Sequence, residues 1–163
     1  MSNGIVQIYY GLGRGKSRAA LGNAIGAAIE GKEAIIIQFL KGKNEENSSF
    51  MERLEPEIRC FNFSKIDECY EALDDEKKAE ESMNLINGFN YSKKVVSTED
   101  CDILVLDELL GMLDLNLISV DDIKNMLSQK PEEMTIIITG RTLPDEIKDL
   151  ADEIYHIEAE KQE

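Results

Sequence analysis

Short apolar runs alternate with longer helical patterns along this 163-residue chain. Two of the runs, 34–40 and 135–139, are almost continuously apolar, which is typical of strands buried on both faces of a parallel sheet. Four further runs of strand length complete the predicted set: 5–10, 58–63, 102–106 and 153–157.

The segments between these runs carry helical periodicity. Helices are predicted over 17–30, 120–127 and 144–150. Residues 67–97 are predicted to form one long helix or two helices joined near Gly88, and residues 41–49 a loop or the start of a surface helix. Alternating strands and helices predict an α/β fold. Because no repeat or linker divides the chain, residues 1–163 are expected to form a single domain.

A glycine-rich turn, GLGRGKS, joins the first predicted strand to the first predicted helix. This is the context of a phosphate-binding loop, in which glycines let main-chain N–H groups surround phosphate oxygens at a helix N-terminus. The motif has Tyr10 where the general pattern has glycine, so a turn without a ligand is the alternative. The predicted ligands of a nucleotide triphosphate are Gly11, Leu12, Gly13, Arg14, Gly15, Lys16 and Ser17.

Two later strand ends agree with this prediction. The fourth predicted strand leads into Asp107 and Glu108, the arrangement of a Walker B motif, whose carboxylates would hold magnesium together with the Ser17 hydroxyl. The fifth leads into Gly140 and Arg141, whose guanidinium would lie near the phosphates or face solvent from a turn. The expected fold is therefore P-loop NTPase-like (RecA-like), with a parallel sheet of about five to six strands and helices on both faces.

Charge and composition narrow the functional classes. The net charge of -15 argues against a nucleic-acid partner, and Arg14, Lys16 and Arg18 place positive charge where a nucleotide would need it. No apolar run is long enough to span a membrane, and the N-terminus lacks the pattern of a secretory signal, so a cytoplasmic location is expected.

Cysteine and histidine usage also restricts the chemistry. The three cysteines are widely spaced, and His156 is the single histidine, which argues against a structural zinc site. We expect all three cysteines to be reduced thiols that pack as small hydrophobic groups.

Together these motifs resemble the P-loop ATP:corrinoid adenosyltransferases, from about residue 4 to residue 152. The more specific landmarks are QFLKG after the second strand and TGR before the last helix. The resemblance implies that Co(I) of a reduced corrinoid attacks C5′ of ATP, with Mg²⁺ as cofactor and triphosphate as leaving group. No side-chain nucleophile is then expected. It also implies a homodimer and an electron-donor flavoprotein as partner.

The corrinoid side of this resemblance rests on fewer residues. Phe61 and Phe63 fall where the family carries an aromatic pair against the corrin, but the chain has no tryptophan, and both rings could instead belong to the core. The sequence also leaves two other functions open. One is an ATP-binding regulatory or carrier protein that has lost adenosyl transfer, and the other is an ordinary ATPase or kinase.

Overall fold

All strands of the sheet run parallel. The computed structural model describes residues 3–42 and 44–162. Within them, six strands form one sheet: β1 (Val6–Tyr10), β2 (Ala34–Gln38), β3 (Ile58–Asn62), β4 (Ile103–Asp107), β5 (Thr135–Gly140) and β6 (Glu153–His156). Their spatial order is β3-β2-β4-β5-β1-β6. The predicted parallel sheet is confirmed, and each predicted strand is present.

Six α-helices connect these strands in the described part of the chain. They are α1 (Lys16–Ile29), α2 (Glu45–Glu52), α3 (Asp75–Thr98), α4 (Leu109–Asp114), α5 (Val120–Ser128) and α6 (Asp145–Lys148), and a 3₁₀ turn over Tyr70–Ala72 precedes α3. None of the helices that the structure describes combines the length and apolar character that a bilayer crossing requires.

The helix boundaries differ from the prediction at two places. The long helix α3 is continuous through Gly88 and begins at Asp75 rather than near residue 67, because the Asp74 side chain caps its first turn by accepting from the N–H of Lys77. Helix α4 was not predicted. It follows directly on Glu108, whose left-handed backbone (φ 65°) turns the chain out of the sheet.

Alternate side chains of the strands face two hydrophobic layers. On one face, Ile36, Val105 and Ile137 pack with Ala20 and Ala24 of α1. The small side chains of α1 let its backbone lie close to the sheet. The opposite layer contains strand residues such as Ile8, Ile37 and Leu106, together with the apolar faces of α3, α4, α5 and α6. Helices therefore cover both faces of the sheet, as predicted.

The segments that follow β1, β2, β4 and β5 leave the sheet on the same side, at the carboxyl ends of these strands. Strand β1 lies between β5 and β6, and β4 lies between β2 and β5. Because the strands are parallel, the carboxyl ends of β1, β2, β4 and β5 meet at the same edge. Ligands of open α/β sheets bind at such edges.

The three cysteines occupy different environments. Burial is the main cause that raises the pKa of Cys60 to about 11 and that of Cys101 to about 12. Cys69 is exposed and donates a hydrogen bond from Sγ to Glu71 at 2.7 Å. The expectation that all three thiols pack as hydrophobic groups was therefore wrong for Cys69, because the short turn before α3 leaves it at the surface.

The exposed thiol of Cys69 is expected to differ in reactivity from the other two. At pH 8 one thiol of the folded protein, Cys69, should react rapidly with Ellman's reagent, because the other two are shielded and remain protonated at that pH. Absorbance at 412 nm should report all three thiols after denaturation in guanidinium chloride. Cys69→Ser should remove the rapid phase. Rapid reaction of Cys60 or Cys101 in that folded variant would contradict the assignment.

Candidate active site

The loop Gly11–Ser17 runs from the end of β1 into the first turn of α1, which begins at Lys16. Gly11 (φ 128°) and Gly15 (φ 105°) have backbone conformations that side chains of L-residues rarely adopt. Apart from its chain neighbours, no described residue lies within 4 Å of the position a Cβ would take on Gly15, so glycine is favoured there by backbone conformation. At Gly11 an added Cβ would also lie 2.3 Å from the carbonyl oxygen of Ile157. The loop is therefore fixed both by its own backbone and by close packing.

Main-chain hydrogen bonds hold the first half of the loop to the ends of β5 and β6. The N–H of Gly11 donates to the carbonyls of Gly140 (3.2 Å) and Arg141 (3.1 Å), and that of Gly13 donates to Ile157 O at 2.9 Å. The second half of the loop leads into the first turn of α1, whose N–H groups have no acceptor within the helix. Such a turn is suited to bind anions.

The side chains of the loop differ in what they can contribute. Leu12 is 75% exposed and Arg14 is also exposed. Lys16 is half-buried, and its Nζ donates to the carbonyl of Gly13 at 2.8 Å, so the side chain lies back across the loop. Its ammonium therefore lies beside the main chain that would surround the phosphates.

A buried carboxylate lies beside the start of α1. Asp107, at the end of β4, is 3% exposed, and its Oδ1 accepts from Ser17 Oγ (2.8 Å) and Thr139 Oγ1 (2.7 Å). Its Oδ2 forms an ion pair with Lys41 Nζ at 2.5 Å, and the same Nζ donates to Ser17 Oγ at 2.9 Å. The structure thus brings the predicted Ser17 and Asp107 into contact.

Lys41 and Thr139 join the site without a role predicted from the sequence. Lys41 is the lysine of QFLKG, three residues after the end of β2, and Thr139 is a polar residue at the end of the apolar strand β5. The sequence signal that could have identified both residues is a polar side chain at the point where a buried strand ends. The role of Thr139 depends on β4 and β5 being neighbours, since its hydroxyl also accepts from the N–H of Glu108 at 2.8 Å.

Asp107 and Glu108, although neighbours in the sequence, line different cavities. Asp107 lines a cavity of about 290 Å³ with Ser17, whereas Glu108 lines a cleft of about 580 Å³ with Arg141 and Lys41. Burial, followed by repulsion from Asp107, raises the pKa of Glu108 above its ordinary value, and Lys16, Lys41 and Arg141 partly offset this. Arg141 is exposed at the mouth of that cleft.

The oxygen atoms around Ser17 fit a magnesium ion. A hydroxyl and a carboxylate in direct contact are hard oxygen ligands, which Mg²⁺ prefers. In residues 3–42 and 44–162, no cluster of three or more His, Cys, Asp or Glu side chains could hold a metal by itself. Mg²⁺ is commonly held by one or two carboxylates together with substrate phosphates and water.

The two predicted corrin contacts lie in, or just after, the outermost strand β3. Phe61 belongs to β3 and Phe63 follows it, and both half-buried rings pack at a tilt against Tyr91 of α3, with centroids 5.0 and 5.7 Å apart. Gly88 makes room for Phe63, because a Cβ there would lie 3.2 Å from its ring. The two rings pack against the large hydrophobic layer of the fold.

The fold and the glycine-rich loop place the chain in the class of P-loop NTPase-like α/β proteins. A solved structure of a KaiC-like protein from Pyrococcus horikoshii shares the fold, with a TM-score of 0.65 and 16% identity over 99% of this chain and 76% of that one. The family model for ATP:corrinoid adenosyltransferase BtuR/CobO/CobP matches residues 2–163, and the chain belongs to that family.

Individual relatives agree with the family model. A corrinoid adenosyltransferase of Escherichia coli is 26% identical over 157 residues, which cover 94% of this chain and 76% of that protein. The corrinoid adenosyltransferase CobA of Salmonella typhimurium is 29% identical with the same coverage. The resemblance inferred from the motifs is therefore confirmed, and the chain belongs to a family of transferases. A regulatory or carrier protein is not favoured.

Proposed function

We propose that this chain transfers the 5′-deoxyadenosyl group of ATP to the Co(I) ion of a reduced corrinoid. The observation that carries the proposal is the contact between the phosphate loop and the Ser17–Asp107 pair, in a chain of this family. In the reaction, the cobalt electron pair forms the bond to C5′, and cobalt becomes formally Co(III). The C5′–O bond breaks, and its electron pair leaves with triphosphate.

The protein's part in this reaction is to bind and orient the leaving group. Lys16 and the N–H groups at the start of α1 would neutralise the triphosphate, and Arg141 would add a guanidinium from the neighbouring strand end. The remaining loop residues would position their main chain around the phosphates: Gly11, Leu12, Gly13, Arg14 and Gly15. Because Co(I) is itself the nucleophile, no side chain has to be deprotonated.

We propose Ser17 and Asp107 as the direct magnesium ligands, with Glu108 as a further carboxylate near the metal. Their oxygen donors and the direct contact between Ser17 and Asp107 support this assignment. When bound, Mg²⁺ supplies positive charge that neutralises the triphosphate. Thr139 would orient Asp107 through its 2.7 Å hydrogen bond.

The corrinoid is proposed to approach the cleft that Glu108 and Arg141 line. This cleft lies at the sheet edge that also carries the phosphate loop, so C5′ of a bound nucleotide could face it. Phe61 and Phe63 remain proposed corrin contacts. Both rings are half-buried and keep part of their surface for a ligand.

The biological setting is also part of this proposal. A homodimer and an electron-donor flavoprotein are proposed on the family resemblance alone. A cytoplasmic location agrees with three cysteines that are all free thiols, since reducing compartments keep thiols unpaired.

An anaerobic assay with ATP, Mg²⁺ and chemically reduced cobalamin or cobinamide tests the activity. We expect a light-sensitive cobalt–carbon bond in the absorption spectrum and one triphosphate released for each corrinoid consumed. Protein shown to bind ATP that forms no such product with either corrinoid would contradict the proposal. Corrinoid-independent release of inorganic phosphate would instead indicate an ordinary ATPase.

A further inference from the structure

Lys41 lies where a metal ion would bind between Ser17 and Asp107. Its Nζ is 2.9 Å from Ser17 Oγ and 2.5 Å from Asp107 Oδ2, and the two oxygen-bearing side chains are themselves hydrogen-bonded. The Asp107 side chain is 4% exposed, whereas that of Lys41 is 34% exposed. The ammonium thus supplies the positive charge that a carboxylate buried this deeply requires.

The backbone around Lys41 is shaped to direct the side chain back toward the sheet. Leu40 is a non-glycine residue in the left-handed region (φ 61°), and Gly42 follows with φ 66°. The Leu40 side chain packs on Gly111, where a Cβ would lie 2.4 Å from Leu40 Cδ1. The carbonyl of Gly42 accepts from Asn62 Nδ2 at 2.6 Å. Strained conformations retained by surrounding contacts are typical of functional sites.

The ammonium and a divalent ion exclude one another at this place. Mg²⁺ binds its oxygen ligands at about 2.0–2.1 Å in a nearly octahedral arrangement, and two cations on the same carboxylate and the same hydroxyl oxygen would repel each other strongly. Metal binding to Asp107 therefore requires Lys41 to move. Lys41 lines both the cleft beside Arg141 and the cavity beside Ser17, so the displaced side chain has solvent-accessible space on either side.

We propose that Lys41 is a resident counter-ion that keeps divalent metal off Asp107 until nucleotide phosphates arrive. A metal ion alone must compete with the ammonium for a single carboxylate. A metal–nucleotide complex brings phosphate oxygens that bind both the metal and the displaced ammonium. Lys41 thereby makes metal binding depend on nucleotide binding. This inference rests on the proposed magnesium site, although its test needs neither nucleotide nor corrinoid.

The test is a Mn²⁺ titration of the nucleotide-free protein, followed by the loss of the free-ion EPR signal. Wild type should bind Mn²⁺ weakly, and Lys41→Met should bind one Mn²⁺ at least about tenfold more tightly, because the competing charge is gone. Lys41→Arg should behave as wild type, since it keeps the charge. Lys32→Met, which removes an exposed lysine outside the site, is the matched control.

Further variants test whether the Mn²⁺ that Lys41→Met binds more tightly is bound by Asp107. Adding Asp107→Asn to Lys41→Met should abolish the tight binding. Lys41→Gln can still donate to Asp107 and provides a second neutral variant if Lys41→Met is unstable in thermal unfolding. Tight Mn²⁺ binding by nucleotide-free wild type, or unchanged binding in folded Lys41→Gln, would overturn the inference. Failure of ATP binding or adenosyl transfer would instead contradict the proposed function.

Discussion

Replacing Lys16 with alanine is expected to weaken ATP binding on the order of 100-fold, or about 3 kcal/mol. The ammonium lies against the loop carbonyl of Gly13, so its loss removes from the triphosphate the positive charge that the loop itself holds in place. The fold should be unaffected, because the side chain is half-buried and its hydrogen bond is local. Isothermal titration calorimetry with ATP and Mg²⁺ measures the change directly.

The control for this experiment is Lys32→Ala, which removes a lysine from the exposed connection between α1 and β2. It changes the net charge by the same amount and should bind ATP as wild type does. Thermal unfolding should show similar midpoints for wild type and both variants. Unchanged ATP affinity in folded Lys16→Ala would refute the assignment of the phosphate loop.

Asp107→Asn should remove the magnesium dependence of ATP binding and slow adenosyl transfer on the order of 100-fold. The amide has nearly the same shape and can still accept from Thr139 and Ser17, but it carries no charge for the metal. ATP affinity measured with and without Mg²⁺ should differ in wild type and coincide in the variant. Asp121→Asn, at an exposed position in α5, is the matched control.

The variant Glu108→Gln separates the roles of the two neighbouring acids. Glu108 lines the larger cleft and does not share the hydrogen bond with Ser17, so its replacement should leave most of the magnesium dependence in place. If Glu108→Gln removed that dependence while Asp107→Asn retained it, the assignment of Asp107 as the direct ligand would be wrong.

Much of the fold could be predicted because each buried strand is a short apolar run followed by a polar or glycine-rich turn. The runs that became β2 and β5 are apolar almost throughout, as a sheet covered on both faces requires. Helix α4 could not be separated from the strand before it, because LVLDELLGML is apolar on both sides of the acidic pair. The left-handed backbone of Glu108 marks the turn, and the side-chain pattern does not encode it.

The site was predictable where its residues are neighbours in the sequence, as in the phosphate loop. The contact between Ser17 and Asp107 was expected from the general placement of such motifs. Lys41 and Thr139 depend on strand order, which the periodicity of a single chain does not give. Because β4 lies between β2 and β5, and Gln38 is in register with Asp107, residues from both neighbouring strand ends reach its carboxylate.

The hydrogen bond from Gly13 to Ile157 joins the loop after β1 to the residue that follows β6. The carbonyl of Ile157 also lies against Gly11, and the neighbouring His156 ring stacks on Tyr10 at 4.5 Å. During synthesis on the ribosome, the phosphate loop emerges well before Ile157 and the other residues around β6 that fix its shape. Nucleotide capture is therefore expected to begin only after β6 has docked, so a partly synthesised chain would not sequester ATP.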